Sequence, residues 1–213
     1  KGDIKGTVSN IKGRSLEIIY TPQCYLKGDL AMNGLPDFDN TFIDLMAKDL
    51  TLNKYDIETI NSYPFNTGEK IILPGNVSAL GTVKFKGKFT GFYTDFVAYG
   101  DVNSALGFFS SDVNLKVGTD DRPAEYSGTV VTNKFDIGKL LRLDPDIGII
   151  SSKVKVKGYS LALNKLNTKL EGAISELKIK GYSYSGITVN GEVRQKLFKG
   201  SLIVDDPNAD LDF

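Results

Sequence analysis

The chain has 213 residues, 41% of them hydrophobic and 24% charged, with 22 glycines and no tryptophan. Lys plus Arg equals Asp plus Glu at 26 each, so no global field draws it to nucleic acid or an anionic membrane surface. With no histidine the usual general base at neutral pH is missing, and the single cysteine, Cys24, excludes an intrachain disulfide, a thiolate metal site and a CxxC redox pair.

Along the chain the dominant period is two, the signature of half-buried strands. The chain opens mid-pattern with "KGDIKGTVSNIKG" and stops at "DLDF", and is read as a fragment of a larger protein. Residues 1–70 form an N-terminal strand set, in which Cys24 is expected to be a small buried hydrophobe. "NKYDIETIN" after Leu52 offers one or two helical turns, with Tyr55, Ile57 and Ile60 near one face. Pro64 and Pro74 then flank "FNTGEKIIL", an irregular crossing segment and the expected boundary with a second strand set over 71–213.

From Val83 to Phe89 the apolar or small residues Val83, Phe85, Gly87 and Phe89 alternate with Lys84, Lys86 and Lys88, which the alternation places in water. The alternation returns in "SDVNLKV", with Val113, Leu115 and Val117 on one face. "FDIGKLLRLD" from Phe135 suggests another short helix, weakened by Gly138. "KVKVKG" sets Val154 and Val156 between lysines, and "GITVNGEV" aligns Ile187, Val189 and Val193. Glycines at 118, 128, 138, 148 and 158 suit a strand plus a short turn in an antiparallel meander. Where apolar parity slips, as from Val154 and Val156 to Leu161 and Leu163, a bulge at glycine is expected to keep one face inward. No apolar run approaches the roughly 18 to 20 residues of a membrane helix.

No catalytic signature emerges. Asp120 with Asp121, and Asp205 with Asp206, are adjacent carboxylates of the kind that bind calcium or serve a glycosidase, but "GTDDRP" and "VDDPN" are turn-like stretches in which Asp caps the backbone. "GEKIILPG" lacks the spacing of a phosphate loop. The ribbons Lys84, Lys86, Lys88 and Lys153, Lys155, Lys157 can touch phosphates, although a solvated, aggregation-blocking edge is the simpler account. The rings of Phe85, Phe89, Phe92, Tyr93, Phe96 and Tyr99 are read as packing, since no basic or RNP-like signature accompanies them. Asn76-Val77-Ser78 has the form of a glycosylation acceptor.

The stretches "VKFKGKFTGFYTDFVAYGDVNSALGFFSSDVNLKV", "YSGTVVTNKFDIGKLL" and "FKGSLIVDDPNADLDF" resemble the TamB proteins of the Bacteroidetes, the inner-membrane component of the translocation and assembly module, related to the AsmA-like proteins. The likeness runs from about Ile71 to Phe213 and rests on Gly87-Lys88-Phe89-Thr90-Gly91 with Asp95-Phe96, Leu106-Gly107, Phe135-Asp136 with Gly138, and Asp206-Pro207-Asn208 with Leu211 and Phe213. It implies a long periplasmic β structure, its parent anchored in the inner membrane of a Gram-negative cell, with a sheet curled into a taco-like apolar groove. The family is associated with outer-membrane biogenesis, in phospholipid passage between the membranes and in assembly of outer-membrane barrel proteins. The chain carries neither the membrane helix nor the region thought to meet the barrel partner, so docking on an outer-membrane barrel protein belongs to other parts of the parent.

The expected fold is therefore all-β, an elongated, curled antiparallel sheet with one to three short helices. The pattern alone accommodates a closed sandwich and an open groove equally. In the groove reading, Val83, Phe85, Phe89, Phe109, Val113, Leu115, Val117, Val154, Val156, Leu177, Ile179, Ile187, Val189 and Val193 contact phospholipid acyl chains, with no enzyme chemistry, cofactor, metal or nucleic acid involved. The competing readings are an assembly or chaperone module that pairs a sheet edge with incoming barrel strands, and a closed-core spacer.

Overall fold

A computed structural model describes residues 1–59, 75–118, 122–160, 165–195 and 197–212. The Pro64–Pro74 segment, Asp120, Asp121, Leu161 and Leu163 lie outside these. The chain divides into two compact units, Lys1–Ala105 and Leu106–Phe213.

The first unit is a meander of β1 (Asp3–Thr7), β2 (Asn10–Thr21), β3 (Cys24–Asn33), β4 (Phe42–Leu52), β5 (Val83–Phe92) and β6 (Asp95–Ser104). Each strand runs antiparallel to the one before it. The segment between β4 and β5 holds α1 (Lys54–Thr59) and a 3-10 helix (Gly75–Leu80), and it joins neighbouring strands of one sheet, since Leu50 stands opposite Phe85. Asn53 starts α1: its Oδ1 accepts from the Asp56 backbone N–H at 2.8 Å and its Nδ2 donates to the Asp56 carboxylate at 2.6 Å. Cys24 is a free, buried thiol, pushed above its ordinary range by burial and by the nearby Asp56.

The second unit repeats the plan with β7 (Gly107–Lys116), β8 (Glu125–Asp136), β9 (Ile147–Tyr159), β10 (Asn167–Ile179), β11 (Tyr182–Arg194), β12 (Leu197–Asp206) and β13 (Ala209–Asp212). All pairs are again antiparallel between sequence neighbours. Between β8 and β9 sits α2 (Ile137–Leu141). Asp136 caps it, accepting from the Lys139 N–H at 3.0 Å, and Arg142 closes it in the left-handed region at φ 57.

The regular alternation of the sequence explains the strands, and the side chains that cover glycines stiffen them. An added Cβ at Gly87 would lie 2.2 Å from the Tyr99 carbonyl oxygen and 2.8 Å from Cζ of Phe85, so backbone and ring together occupy the space a side chain would fill. Phe198 covers Gly191 in the same way, at 2.6 Å. The glycines at 128, 148 and 158, expected at turns, fall inside β8 and β9, and Gly138 falls inside α2. Register shifts occur instead around Ser15 and Lys134, both with positive φ, and on β4 between Ala47 and Leu50. At Ser15 and Lys134 the backbone N–H finds a side-chain acceptor on the neighbouring strand, Ser15 N–H donating to Asp29 Oδ1 at 2.7 Å and Lys134 N–H to Ser151 Oγ at 3.0 Å.

Among the described residues neither sheet closes on itself within its unit, and strands pair only with their sequence neighbours. The accessible surface is 13435 Å², against about 9,700 Å² for one compact monomer of this mass, or about 11,700 Å² for two bodies of half the mass. Fully buried apolar side chains are correspondingly few, among them Leu16, Ala47, Val102, Phe135, Ile187, Val189 and Val204.

Candidate functional site: two apolar sheet faces

Residues directly opposite each other in an antiparallel ladder project to the same side, so the registers define each face. In the first unit Leu26, Leu50, Phe85 and Val102 form one transverse row. The next row is Leu16, Gly28, Ala47, Gly87 and Gly100, and the third is Gly13, Leu30, Leu45, Phe89 and Ala98. Val83 stands opposite Leu52 on the same parity as Phe85. Phe89 tilts against Phe96 with ring centroids 4.6 Å apart. No charged side chain enters these rows.

The opposite face is polar. Lys84 and Lys86 are exposed, as the alternation predicts. Lys88, predicted exposed as well, is half-buried because its ammonium turns to Asp44 at 3.4 Å, and Asp44 also accepts from Thr90 Oγ1 at 3.1 Å.

In the second unit Val113, Gly128, Val156, Leu170, Gly191 and Gly200 share a row. Leu115, Tyr126, Gly158, Thr168, Val193 and Phe198 lie on one side of it. On the other side come Val130, Val154, Gly172, Val189 and Leu202, and then Phe109, Thr132, Ser152, Ile174, Ile187 and Val204. The polar members satisfy one another. Thr132 and Ser152 hydroxyls are 2.9 Å apart, and Tyr126 is hydrogen-bonded to Thr168.

Leu177 and Ile179 join this face by way of a bulge. β10 gains one residue on β9 between Ile174 and Glu176, after which Leu177 faces Ile150, which has the parity of Ser152 and Val154. Phe135 faces Ile150 across the matching bulge in β8 and packs edge-on against Phe109 at 5.4 Å. Of the expected lining residues, Val83, Phe85 and Phe89 stand on the first face, and Phe109, Val113, Leu115, Val154, Val156, Leu177, Ile179, Ile187, Val189 and Val193 on the second. Val117 lies one residue beyond β7 and is 38% exposed.

Sequence reasoning missed Leu26, Leu30, Leu45 and Leu50 in the first unit and Val130, Leu170, Ile174 and Leu202 in the second. The alternation of Leu26, Gly28, Leu30 and Met32 is a usable signal for β3. In β4 the register shifts between Ala47 and Leu50 break the period that would have marked Leu45 and Leu50 as one set.

The motif residues behind the family resemblance have structural work. The Asp206 carboxylate accepts from the Asn208 N–H at 2.9 Å, from Tyr182 Oη at 2.7 Å, and from the Ser185 N–H and hydroxyl, both at 2.9 Å. These bonds, led by the Asn208 amide, lower its pKa to about 2. It therefore caps the β12–β13 turn, as a turn aspartate does. Gly138 is buried where a Cβ would sit 1.7 Å from the Ile147 carbonyl oxygen, and Leu106 and Phe135 are buried.

Among the described residues no helix is long and apolar enough to cross a membrane, and no three histidine, cysteine or acidic side chains converge on a metal-sized site. What the site offers is apolar area, in rows four to six strands wide. No protein-family model, curated protein or solved structure matches the chain, so the reading of these faces rests on their own geometry.

Proposed function

We propose that the chain is a non-enzymatic periplasmic segment of a TamB/AsmA-like protein of outer-membrane biogenesis, whose apolar faces carry phospholipid acyl chains between the inner and outer membranes. The observation that carries this reading is the second-unit face, a set of transverse rows crossing six strands without a charged side chain on a sheet that does not close. Most of its residues are half-buried rather than buried. An acyl chain laid along such rows gains roughly 0.8 kcal/mol per buried CH₂, and sliding from row to row exchanges one apolar contact for another, with no bond to make or break.

A second reading has one observation in its favour. β13 pairs only with β12 in its unit, so its outer edge offers backbone groups to an added strand, as an assembly module for outer-membrane barrel proteins requires.

The test uses a photoreactive fatty acid. Val113 stands opposite Gly128, so Val113→Glu has room to fold while placing a carboxylate in the central row. Phe89→Glu does the same on the first face with the loss of the Phe96 contact. Crosslinks to the native protein are expected on residues of these rows. In each variant they should fall severalfold on its own face, with thermal unfolding still cooperative. Lys155→Glu on the polar face is the control. Undiminished crosslinking in both variants would refute the lipid-lining reading, and crosslinking of a barrel-strand peptide to β13 alone would favour the second.

A further inference from the structure

We propose that the polar face of the second unit holds a phosphate-binding cleft centred on Lys157 and Lys169. Both units carry a Lys-x-Lys-x-Lys ribbon, on β5 and on β9. Both strands are paired on two sides, so neither ribbon guards a sheet edge, and the edge-blocking account does not apply to them. The ribbons differ in what faces them. On β5, Lys86 is directly opposite Asp101 and Lys88 is ion-paired with Asp44.

On β9, Lys153 lies between Val131 and Ala173, and Lys157 between Ser127 and Lys169. Only Lys155 meets a carboxylate, Glu171. Lys169 has Glu192 on its far side, a carboxylate it shares with the Arg194 guanidinium at 3.0 Å, so one negative charge serves two cations there.

Directly opposed like charges, with Cβ atoms about 5 Å apart, destabilise a ladder. An anion seated between two ammonium groups reverses the sign. A cleft of about 510 Å³ opens at this point, lined by Lys157, Lys169, Ser127, Tyr159 and Asn167, with Lys116 and Glu125 facing each other across its far wall. Asn167 Nδ2 donates to Tyr159 Oη at 2.9 Å and fixes that ring as a side wall. Two flexible ammonium groups beside a hydroxyl and an amide suit the compact, multiply charged phosphate group. The group is either a free phosphate ester or the headgroup of an anionic phospholipid, and the cleft is on the face away from the apolar rows.

The experiment reads thermal unfolding in inorganic phosphate against chloride of matched ionic strength, and flotation with phosphatidylglycerol vesicles against phosphatidylcholine vesicles. Phosphate is expected to raise the melting temperature of the native chain. Lys157→Gln should raise it without phosphate, by relieving the repulsion, and should cut the phosphate response at least about fivefold. Lys86→Gln, in the compensated ribbon, should leave the response intact, as should Val113→Glu, which separates this site from the lipid-lining reading. A phosphate response assigns a free phosphate ester, and Lys157-dependent flotation without it assigns a headgroup. Equal responses to phosphate and chloride, a response unchanged in Lys157→Gln, destabilisation by Lys157→Gln in the absence of phosphate, or neither response nor flotation would overturn the proposal.

Discussion

Four donors from two stretches of chain converge on the Asp206 carboxylate, and three of them, from Tyr182 and Ser185 on β11, lie more than 20 residues away in sequence. With its pKa lowered to about 2, against about 3.9 in an unfolded chain, the unfolded state takes up the proton first as pH falls. The stabilisation is complete above about pH 4 and is lost as pH drops toward 2. Asp206→Asn is expected to flatten that part of the acid stability curve, and amide exchange in β12 and β13 should accelerate most. An acid limb identical to that of the native chain would show that the carboxylate does not hold the turn. The turn role of Asp206 was legible in "VDDPN", because the bond to Asn208 is local. Its donors on β11 were not, because only the ladder register brings them near.

At the scale of elements, period two was legible wherever a strand runs unbroken. Val83 to Phe89, "KVKVKG" and "GITVNGEV" lie in β5, β9 and β11 with the predicted faces. Legibility failed at bulges, since one inserted residue exchanges the faces. Leu45 and Leu50 on β4, and Ile174 and Leu177 on β10, share a side in the fold but not in parity. Glycine was a misleading marker of turns. Its positions instead record where another backbone or ring comes close, as at Gly87 beneath Phe85 and at Gly138 against Ile147. Gly138→Ala should therefore cost about 2–4 kcal/mol, because α2 must pull away from β9 to admit the methyl group. Chemical denaturation measures this, and a loss under about 0.5 kcal/mol would mean that α2 packs loosely.

For the whole molecule, composition indicated a chain without the usual catalytic set, and the alternation indicated an all-β chain whose sheets have one dry face. Whether the dry face is closed could not be read, because a sandwich and an open sheet require the same alternation. The resemblance tipped the expectation toward a groove, and among the described residues the strands pair only with their sequence neighbours, which leaves each unit's sheet unclosed. Charge distribution was legible only as a sum of zero. The contrast between the β5 and β9 lysine ribbons emerges from cross-strand register, which composition does not carry.

Pairing restricted to sequence neighbours has a kinetic consequence. Apart from the segment between β4 and β5, every ladder in either unit is closed by a short connection, so little loop entropy is lost in forming it. Folding of the second unit is then a zipper that starts on the long hairpins of β9, β10 and β11 and spreads outward one strand at a time. Its stability is close to a sum of nearest-neighbour terms. Removing β13 by ending the chain after Asp206 should leave hydrogen-exchange protection in β9–β11 nearly unchanged while β12 becomes the fraying end. Each further strand removed should lower the unfolding midpoint by a similar step rather than collapse the unit at once.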